Sequence, residues 1–84
     1  MIFSVKIKAS AAKALQKIPG SDRLRLIDAI DRLSETPMAG GALKGEFAGL
    51  RRLRIGTYRI IYEVVEHELL VLVVRIGYRK DVYR

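Results

Sequence analysis

The stretch "LRRLRIGTYRIIYEVV", residues 50–65, constrains the fold of this chain more than any other feature. Two runs rich in Leu, Ile, Val and Tyr flank the dipeptide Gly56-Thr57, and polar and apolar residues alternate along the first run. A two-residue, glycine-containing link between such runs is typical of a β-hairpin. The sequence therefore predicts strands over residues 50–55 and 58–65, joined by a tight turn.

Alternation along this hairpin sorts its side chains onto two faces, because successive residues of a strand point in opposite directions. The first face is apolar and carries Leu53, Ile55, Ile60 and Tyr62. The second face carries three arginines, Arg52, Arg54 and Arg59. Like charges set side by side on a sheet are destabilising, whereas guanidinium groups bind phosphate through paired hydrogen bonds. The pattern thus indicates an anion-binding face.

The first half of the chain predicts one strand and two helices. Alternation in "IFSVKIK" predicts a strand over residues 2–8. Helical spacing of apolar residues predicts helices over 11–18 and 23–35, separated by Pro19-Gly20. The expected N-caps are Ser10 for the first helix and Ser21 or Asp22 for the second.

The last strand is expected in "ELLVLVVRI", residues 68–76, after a turn at Glu66-His67. The element order is then β-α-α-β-β-β. We expect one α+β domain over residues 1–84, in which a two-helix hairpin covers one face of a four-stranded antiparallel sheet.

Charge and composition limit the classes of partner and cofactor that this chain could bind. The chain has 16 Lys and Arg against 9 Asp and Glu, a formal net charge of +7, and five basic residues against one acid lie between Lys44 and Arg59. This excess favours a polyanion or an acidic partner protein. The chain has no cysteine and no cluster with metal-ligand spacing, so we predict neither a metal nor another cofactor. Without an apolar run of membrane-spanning length or a signal segment, a soluble cytoplasmic protein is expected.

Two segments, "LKGEFAGLRRLRIGTYRIIYEV" and "VLVVRIGYRKDVY", resemble the RelE/ParE toxin superfamily of type II toxin–antitoxin systems. The shared features are the Leu-Lys-Gly approach, a basic strand, a Gly-x-Tyr-Arg hairpin and a terminal Gly-x-Arg segment that ends in tyrosine. The resemblance covers essentially the whole chain. It implies an mRNA interferase of RelE type, a metal-independent endoribonuclease that inhibits translation and arrests growth. Such enzymes cut mRNA in the ribosomal A site through attack of a ribose 2′-hydroxyl on the adjacent phosphate.

The resemblance also implies roles for individual residues. Arg59 matches the hairpin arginine that would hold the scissile phosphate. A basic residue of the preceding strand matches Arg54, or Arg52 if the turn is aligned differently. Arg79 matches the terminal arginine that would stabilise developing charge or assist the leaving oxygen. Tyr83 would orient or stack on the substrate. Further contacts to RNA or the ribosome are expected from Arg52, Arg51, Lys44, Tyr78 and Lys80.

Two departures from the family pattern keep alternatives open. The basic strand carries arginine where some members have a lysine as proposed base, and arginine is a poor base. Tyr78 stands where many relatives have histidine, and a tyrosine does not shuttle protons at neutral pH as imidazole does. The alternatives are a ParE-like inhibitor of DNA gyrase and a catalytically inactive RNA-binding variant.

The partners implied by the resemblance are a protein and RNA. The expected protein is a RelB-like cognate antitoxin that binds through an acidic or amphipathic segment. The expected RNA partners are mRNA in the ribosomal A site and ribosomal RNA. No membrane partner is expected.

Overall fold

The computed structural model describes residues 2–78, which form a five-stranded sheet with two helices on one face. The elements are β1 (Ser4–Ile7), α1 (Ala9–Gln16), α2 (Gly20–Arg32), β2 (Gly41–Ala42), β3 (Leu50–Ile55), β4 (Tyr58–Val65) and β5 (Leu70–Tyr78). The predicted α+β class and the order of the main elements are confirmed, with five strands in place of four. Neither helix within residues 2–78 is long and apolar enough to cross a lipid bilayer.

The strands lie side by side in the order β1-β5-β4-β3-β2. Strands β3, β4 and β5 pair antiparallel, as predicted, and β2 pairs antiparallel with β3. The prediction of an antiparallel sheet is wrong for β1, which pairs parallel with β5. The additional strand, β2, consists of Gly41 and Ala42 and pairs with Arg52 and Arg51. Gly41 is the second residue of the Gly40-Gly41 pair, and a strand of two small residues carries no alternation, so sequence periodicity could not indicate it.

The helix caps differ from the expected ones. Lys8 and Pro19 occupy the N-cap positions, and neither provides a side-chain cap. At the first helix the backbone N–H of Lys8 donates to the Val73 carbonyl at 2.9 Å, so the chain passes from β1 into α1 without a spacer. The predicted caps lie inside the first helical turns instead: Ser10, Ser21 and Asp22.

The core lies between the two helices and the sheet face that they cover. Leu26 and Ile30 of α2 and Leu15 of α1 are buried there. The sheet contributes the apolar hairpin face and the centre of β5, namely Tyr58, Ile60, Tyr62, Val71, Val73 and Ile76. The hairpin face predicted to be apolar is therefore the one that packs under the helices.

Tyr62 ties the connection between α2 and β2 to the sheet. Its hydroxyl accepts a hydrogen bond from the Gly40 N–H and donates one to the Pro37 carbonyl, each at 2.8 Å. The Arg51 guanidinium donates to the Gly40 carbonyl at 2.6 Å. A Cβ on residue 40 would lie 2.6 Å from the Arg52 carbonyl oxygen, so the packing admits only glycine. Burial raises the pKa of Tyr62, opposed by the Gly40 hydrogen bond and the Arg51 charge.

Replacing Tyr62 by phenylalanine should lower the free energy of unfolding by about 2 kcal/mol, because the buried Gly40 N–H loses its acceptor. Urea denaturation of the Tyr62→Phe variant measures this change. The control is Ser4→Ala, which removes an exposed hydroxyl from β1 and should change the stability by less than about 0.5 kcal/mol. Equal stability of Tyr62→Phe and the wild type would contradict the role of this hydroxyl.

Candidate active site on the open face of the sheet

The face of the sheet opposite the helices, called the open face below, carries the predicted arginines. Arg54 and Arg59 are direct cross-strand partners in the β3–β4 ladder, and Arg52 is the partner of Ile61. The Cβ atoms of such partners are about 5 Å apart. The register therefore places Arg52, Arg54 and Arg59 together, as alternation predicts.

The turn between β3 and β4 sets this register. The first turn residue, Gly56, has a φ of 60°. The second, Thr57, has a negative φ, since Leu69 is the only described non-glycine residue with a positive value. A positive φ at the first central position alone is characteristic of a type II′ turn, whose twist matches that of the flanking strands. Gly56 thus allows the two-residue link that brings Arg54 opposite Arg59.

Strand β5 adds an arginine that the sequence analysis did not predict. Counted from the buried Val71 and Val73, simple alternation would turn Arg75 toward the helices. The ladder shifts instead, because Tyr62 pairs with Val73 while its neighbour Ile61 pairs with Arg75. Val74 is then the extra residue of a β-bulge, and Arg75 faces the open side. An arginine at an inward position of an apolar strand is the one sequence signal that could have indicated this bulge.

The four arginines Arg52, Arg54, Arg59 and Arg75 form what we call the basic cradle. Within it Ile61 is only 2% exposed, although it lies on the face without helices, and Arg52 and Arg75 are its partners on either side. Aliphatic stems of long basic side chains commonly cover such apolar surface. The Nε atom of Arg59 is also removed from solvent. The Arg59 side chain is therefore held against the sheet, which lowers the entropy cost of binding an anion there.

Carboxylates of the described residues can be compared with Arg52 and Arg54 of the cradle. No ion pair joins Arg52 or Arg54 to a carboxylate within residues 2–78. Glu63 shares the open face as a diagonal cross-strand neighbour of Arg52, roughly 7 Å away, and lies roughly 13 Å along β4 from Arg59. No group of three or more His, Cys, Asp or Glu side chains in the described part of the chain could hold a metal ion. The arginines of the cradle can thus bind and neutralise a phosphate, and Glu63 places one carboxylate at the Arg52 end of the cradle.

Two predicted RNA contacts lie away from the cradle. Arg51 is the cross-strand partner of the buried Tyr62 and donates to the Gly40 carbonyl on the helix side. Arg51 therefore has a structural role and does not face the open side. Lys44 precedes a single 3-10 turn, Gly45–Phe47, and follows Leu43, whose N–H donates to the Leu50 carbonyl. It lies near the end of β3 that is remote from Arg54.

Tyr78 also faces the helix side. It is the partner of Tyr58 across the β4–β5 ladder, and the two rings stack with centroids 4.8 Å apart and planes at 24°. Both rings line a cavity with Ile18 and Pro19. The predicted contact of Tyr78 with RNA would thus have to come from this side of β5. The remaining predicted site residues lie outside the described residues: Arg79, Lys80 and Tyr83.

The tyrosine stack changes the acidity of Tyr58. A hydrogen bond with Tyr78, burial of the ring and the nearby charge of Asp22 together raise the pKa of Tyr58 from 10.0 to about 12. The hydrogen bond is the largest of these causes. Tyr58 therefore stays neutral in the folded protein at pH values where an unfolded tyrosine ionises.

Stability should consequently fall in alkaline solution. The unfolded chain loses the Tyr58 proton near pH 10 and the folded chain near pH 12, so this contribution is complete below pH 10 and is lost between the two values. Urea midpoints of the wild type and Tyr58→Phe, measured across this range, should converge as the pH rises. Parallel midpoint curves would contradict the raised pKa.

Comparison with known proteins identifies the family of this chain. The family described as "ParE toxin of type II toxin-antitoxin system, parDE" matches residues 5–83. The chain belongs to the RelE/ParE toxin superfamily. Toxin RelG of Mycobacterium tuberculosis is 31% identical over 86 residues, an alignment that covers 100% of this chain and 99% of RelG.

Solved structures of RelE-type toxins share the fold of this RelE/ParE protein. A chain of the RelBE2 toxin–antitoxin complex of Mycobacterium tuberculosis is 27% identical, with a TM-score of 0.88 over 94% of this chain and 100% of that chain. A chain of the archaeal RelE–RelB complex of Pyrococcus horikoshii is also 27% identical, with a TM-score of 0.79 over 98% and 100% of the two chains. The protein is a type II toxin with a RelE-like structure.

Proposed function

We propose that this toxin is a ribosome-dependent endoribonuclease that cuts mRNA in the A site in the cytoplasm. One observation carries the proposal: Arg54 and Arg59 are direct cross-strand partners on the open face, flanked by Arg52 and Arg75. Such crowding of like charge costs free energy on a bare sheet. A bound phosphodiester would offset this repulsion, since guanidinium groups pair with phosphate oxygens.

Cleavage would proceed by attack of a ribose 2′-oxygen on the adjacent phosphorus. The bond from phosphorus to the 2′-oxygen forms and the bond to the 5′-oxygen breaks, while one proton leaves the 2′-hydroxyl and another reaches the 5′-oxygen. Arg59 would hold the non-bridging oxygens, and Arg54 would neutralise the charge that grows on the phosphorane. Each such preorganised donor contributes on the order of 3 kcal/mol.

The terminal segment completes the proposed site. Gly77 is the cross-strand partner of Arg59, and Arg79 follows it by two residues in the sequence. We assign Arg79 to charge stabilisation at the leaving oxygen and Tyr83 to orientation of the substrate. The proposed mechanism uses no metal.

Replacing either Arg59 or Arg79 by alanine should lower the rate of ribosome-dependent cleavage by about 100- to 1,000-fold, because a hydrogen-bond donor to the transition state is lost. Purified protein is incubated with translating ribosomes, and the cleavage ends in the mRNA are mapped by primer extension. Growth arrest on induced expression should be relieved in parallel, while binding of the cognate antitoxin persists.

The matched control for these variants is Lys13→Ala, which removes one exposed positive charge from α1 on the other side of the sheet. This variant should cleave mRNA at the wild-type rate. Full toxicity of the Arg59→Ala/Arg79→Ala double variant would end the assignment of both roles.

The proposed protein partner is a RelB-like antitoxin. A groove of about 440 Å³ runs between α2 and β3, and its apolar lining includes Ala29, Leu33, Leu53 and Ile55. An amphipathic segment could place its apolar side chains in this groove, and an acidic segment could neutralise the basic cradle. The RelBE2 and archaeal RelE–RelB structures are themselves toxin–antitoxin complexes.

A second candidate is inhibition of DNA gyrase without chemistry, favoured by the match to the family named for ParE. A supercoiling assay with purified gyrase separates the two functions. Inhibition of supercoiling by a protein that leaves ribosome-bound mRNA intact would support this candidate and reject the nuclease. Binding to ribosomes with neither activity would support a catalytically inactive RNA-binding variant instead.

A further inference from the structure

A cavity adjoins the basic cradle where β1 ends. β1 pairs with β5 only as far as Val73, after which the chain turns into α1. Within residues 2–78 no strand pairs with the last five residues of β5 on that side. The space holds a cavity of about 320 Å³, lined by residues that include Lys8, Ser10, Arg75 and Gly77.

We propose that this cavity binds the nucleotide next to the cleaved phosphodiester, with Arg75 and Lys8 contacting its phosphate. The inference rests on the nuclease function proposed above and extends its RNA-binding surface beyond Arg54 and Arg59. It assigns roles in RNA binding to Arg75 and Lys8 and adds a nucleotide subsite to the cradle.

The charge of the cavity favours an anion. Its described lining includes two cationic side chains and the Ser10 hydroxyl, and it contains no carboxylate. Its volume exceeds that of a single carboxylate or phosphate group, so a sugar or base could enter together with the phosphate. A nucleotide matches both the charge and the size of this cavity.

The cavity is continuous with the basic cradle, which favours a nucleotide that is part of a longer RNA. Arg75 belongs to the cross-strand row Arg52–Ile61–Arg75 and also lines the cavity. From Arg54 on β3 to Lys8 at the end of β1, the basic surface crosses four strands, roughly 14 Å at the usual strand spacing. One phosphate held by Arg54 and Arg59 occupies only part of this length.

Gly77 keeps the path between the two sites open. It is the partner of Arg59 and lines the cavity. A Cβ at residue 77 would lie more than 4 Å from every atom of residues 2–78 other than its chain neighbours. An RNA backbone held at Arg59 can therefore continue past Gly77 toward Arg75.

Arg75 could instead serve only to cover Ile61, and two variants separate these roles. Arg75→Met keeps an unbranched apolar side chain over Ile61 and removes the charge. Arg75→Lys keeps the charge. A structural role predicts that the methionine variant binds RNA like the wild type, whereas a phosphate contact predicts that only the lysine variant does so.

The test measures binding of a fluorescein-labelled, single-stranded 2′-O-methyl RNA of mixed sequence, which lacks the attacking hydroxyl. Fluorescence anisotropy is recorded at several salt concentrations. The logarithm of the association constant falls linearly with the logarithm of the salt concentration. The slope of this line should become less steep by about 0.7 in Arg75→Met and in Lys8→Met, the value for one lost phosphate contact on a single strand. Arg75→Lys should retain the wild-type slope. The control Lys13→Met should do so as well, and thermal unfolding checks that every variant is folded.

A wild-type slope in folded Arg75→Met would overturn the inference, as would an equal loss in Lys13→Met or no binding of this RNA by the wild type. The ribosome assay gives a separate result for the nuclease. Cleavage by the wild type with an unchanged slope in Arg75→Met would reject the subsite alone. A weaker slope in Arg75→Met from a protein that cleaves nothing would reject the nuclease and retain the phosphate contact.

Discussion

The register of the β3–β4 hairpin is the constraint on which the rest of this protein depends. Gly56 provides the positive φ of a two-residue turn, and the turn places Arg54 opposite Arg59 and Leu53 opposite Ile60. A slip of one residue in a strand would send its arginines under the helices and its apolar residues to solvent. The same set of backbone hydrogen bonds therefore builds the core and the candidate active site.

Strand alternation gives neighbouring arginines different tasks. Arg51 faces the helices and donates to the Gly40 carbonyl, where it helps to hold the loop that Tyr62 also binds. Arg52, the next residue, faces the open side beside Ile61. The basic run thus contributes to stability on one face and to anion binding on the other. A count of positive charges in the sequence cannot separate these contributions.

The β-bulge in β5 allows this strand to contribute both to the core and to the basic cradle. Val71, Val73 and Ile76 are all buried under the helices, a spacing that regular alternation does not permit. The extra residue, Val74, lets Ile76 return to the core and turns Arg75 outward. Without the bulge the Arg75 guanidinium would lie in the apolar core, and an unpaired buried charge costs several kcal/mol. Bulges of this kind are common beside active sites, where they redirect a side chain.

Features that depend on local periodicity could be predicted from consecutive residues: the hairpin around Gly56, the two helices, the arginine face and the apolar face beneath the helices. Contacts between distant segments were needed to set the parallel pairing of β1 with β5, the short strand β2, the outward turn of Arg75 and the stacking of Tyr78 on Tyr58. The prediction of Ser10 as a helix cap was wrong for the same reason. Pairing with β5 extends β1 to Ile7, and the hydrogen bond from Lys8 to Val73 places the start of α1 directly after it. The physical reason is the sequence separation of the interacting residues. Alternation is a property of consecutive residues, whereas register shifts and strand neighbours depend on contacts between segments far apart in the chain.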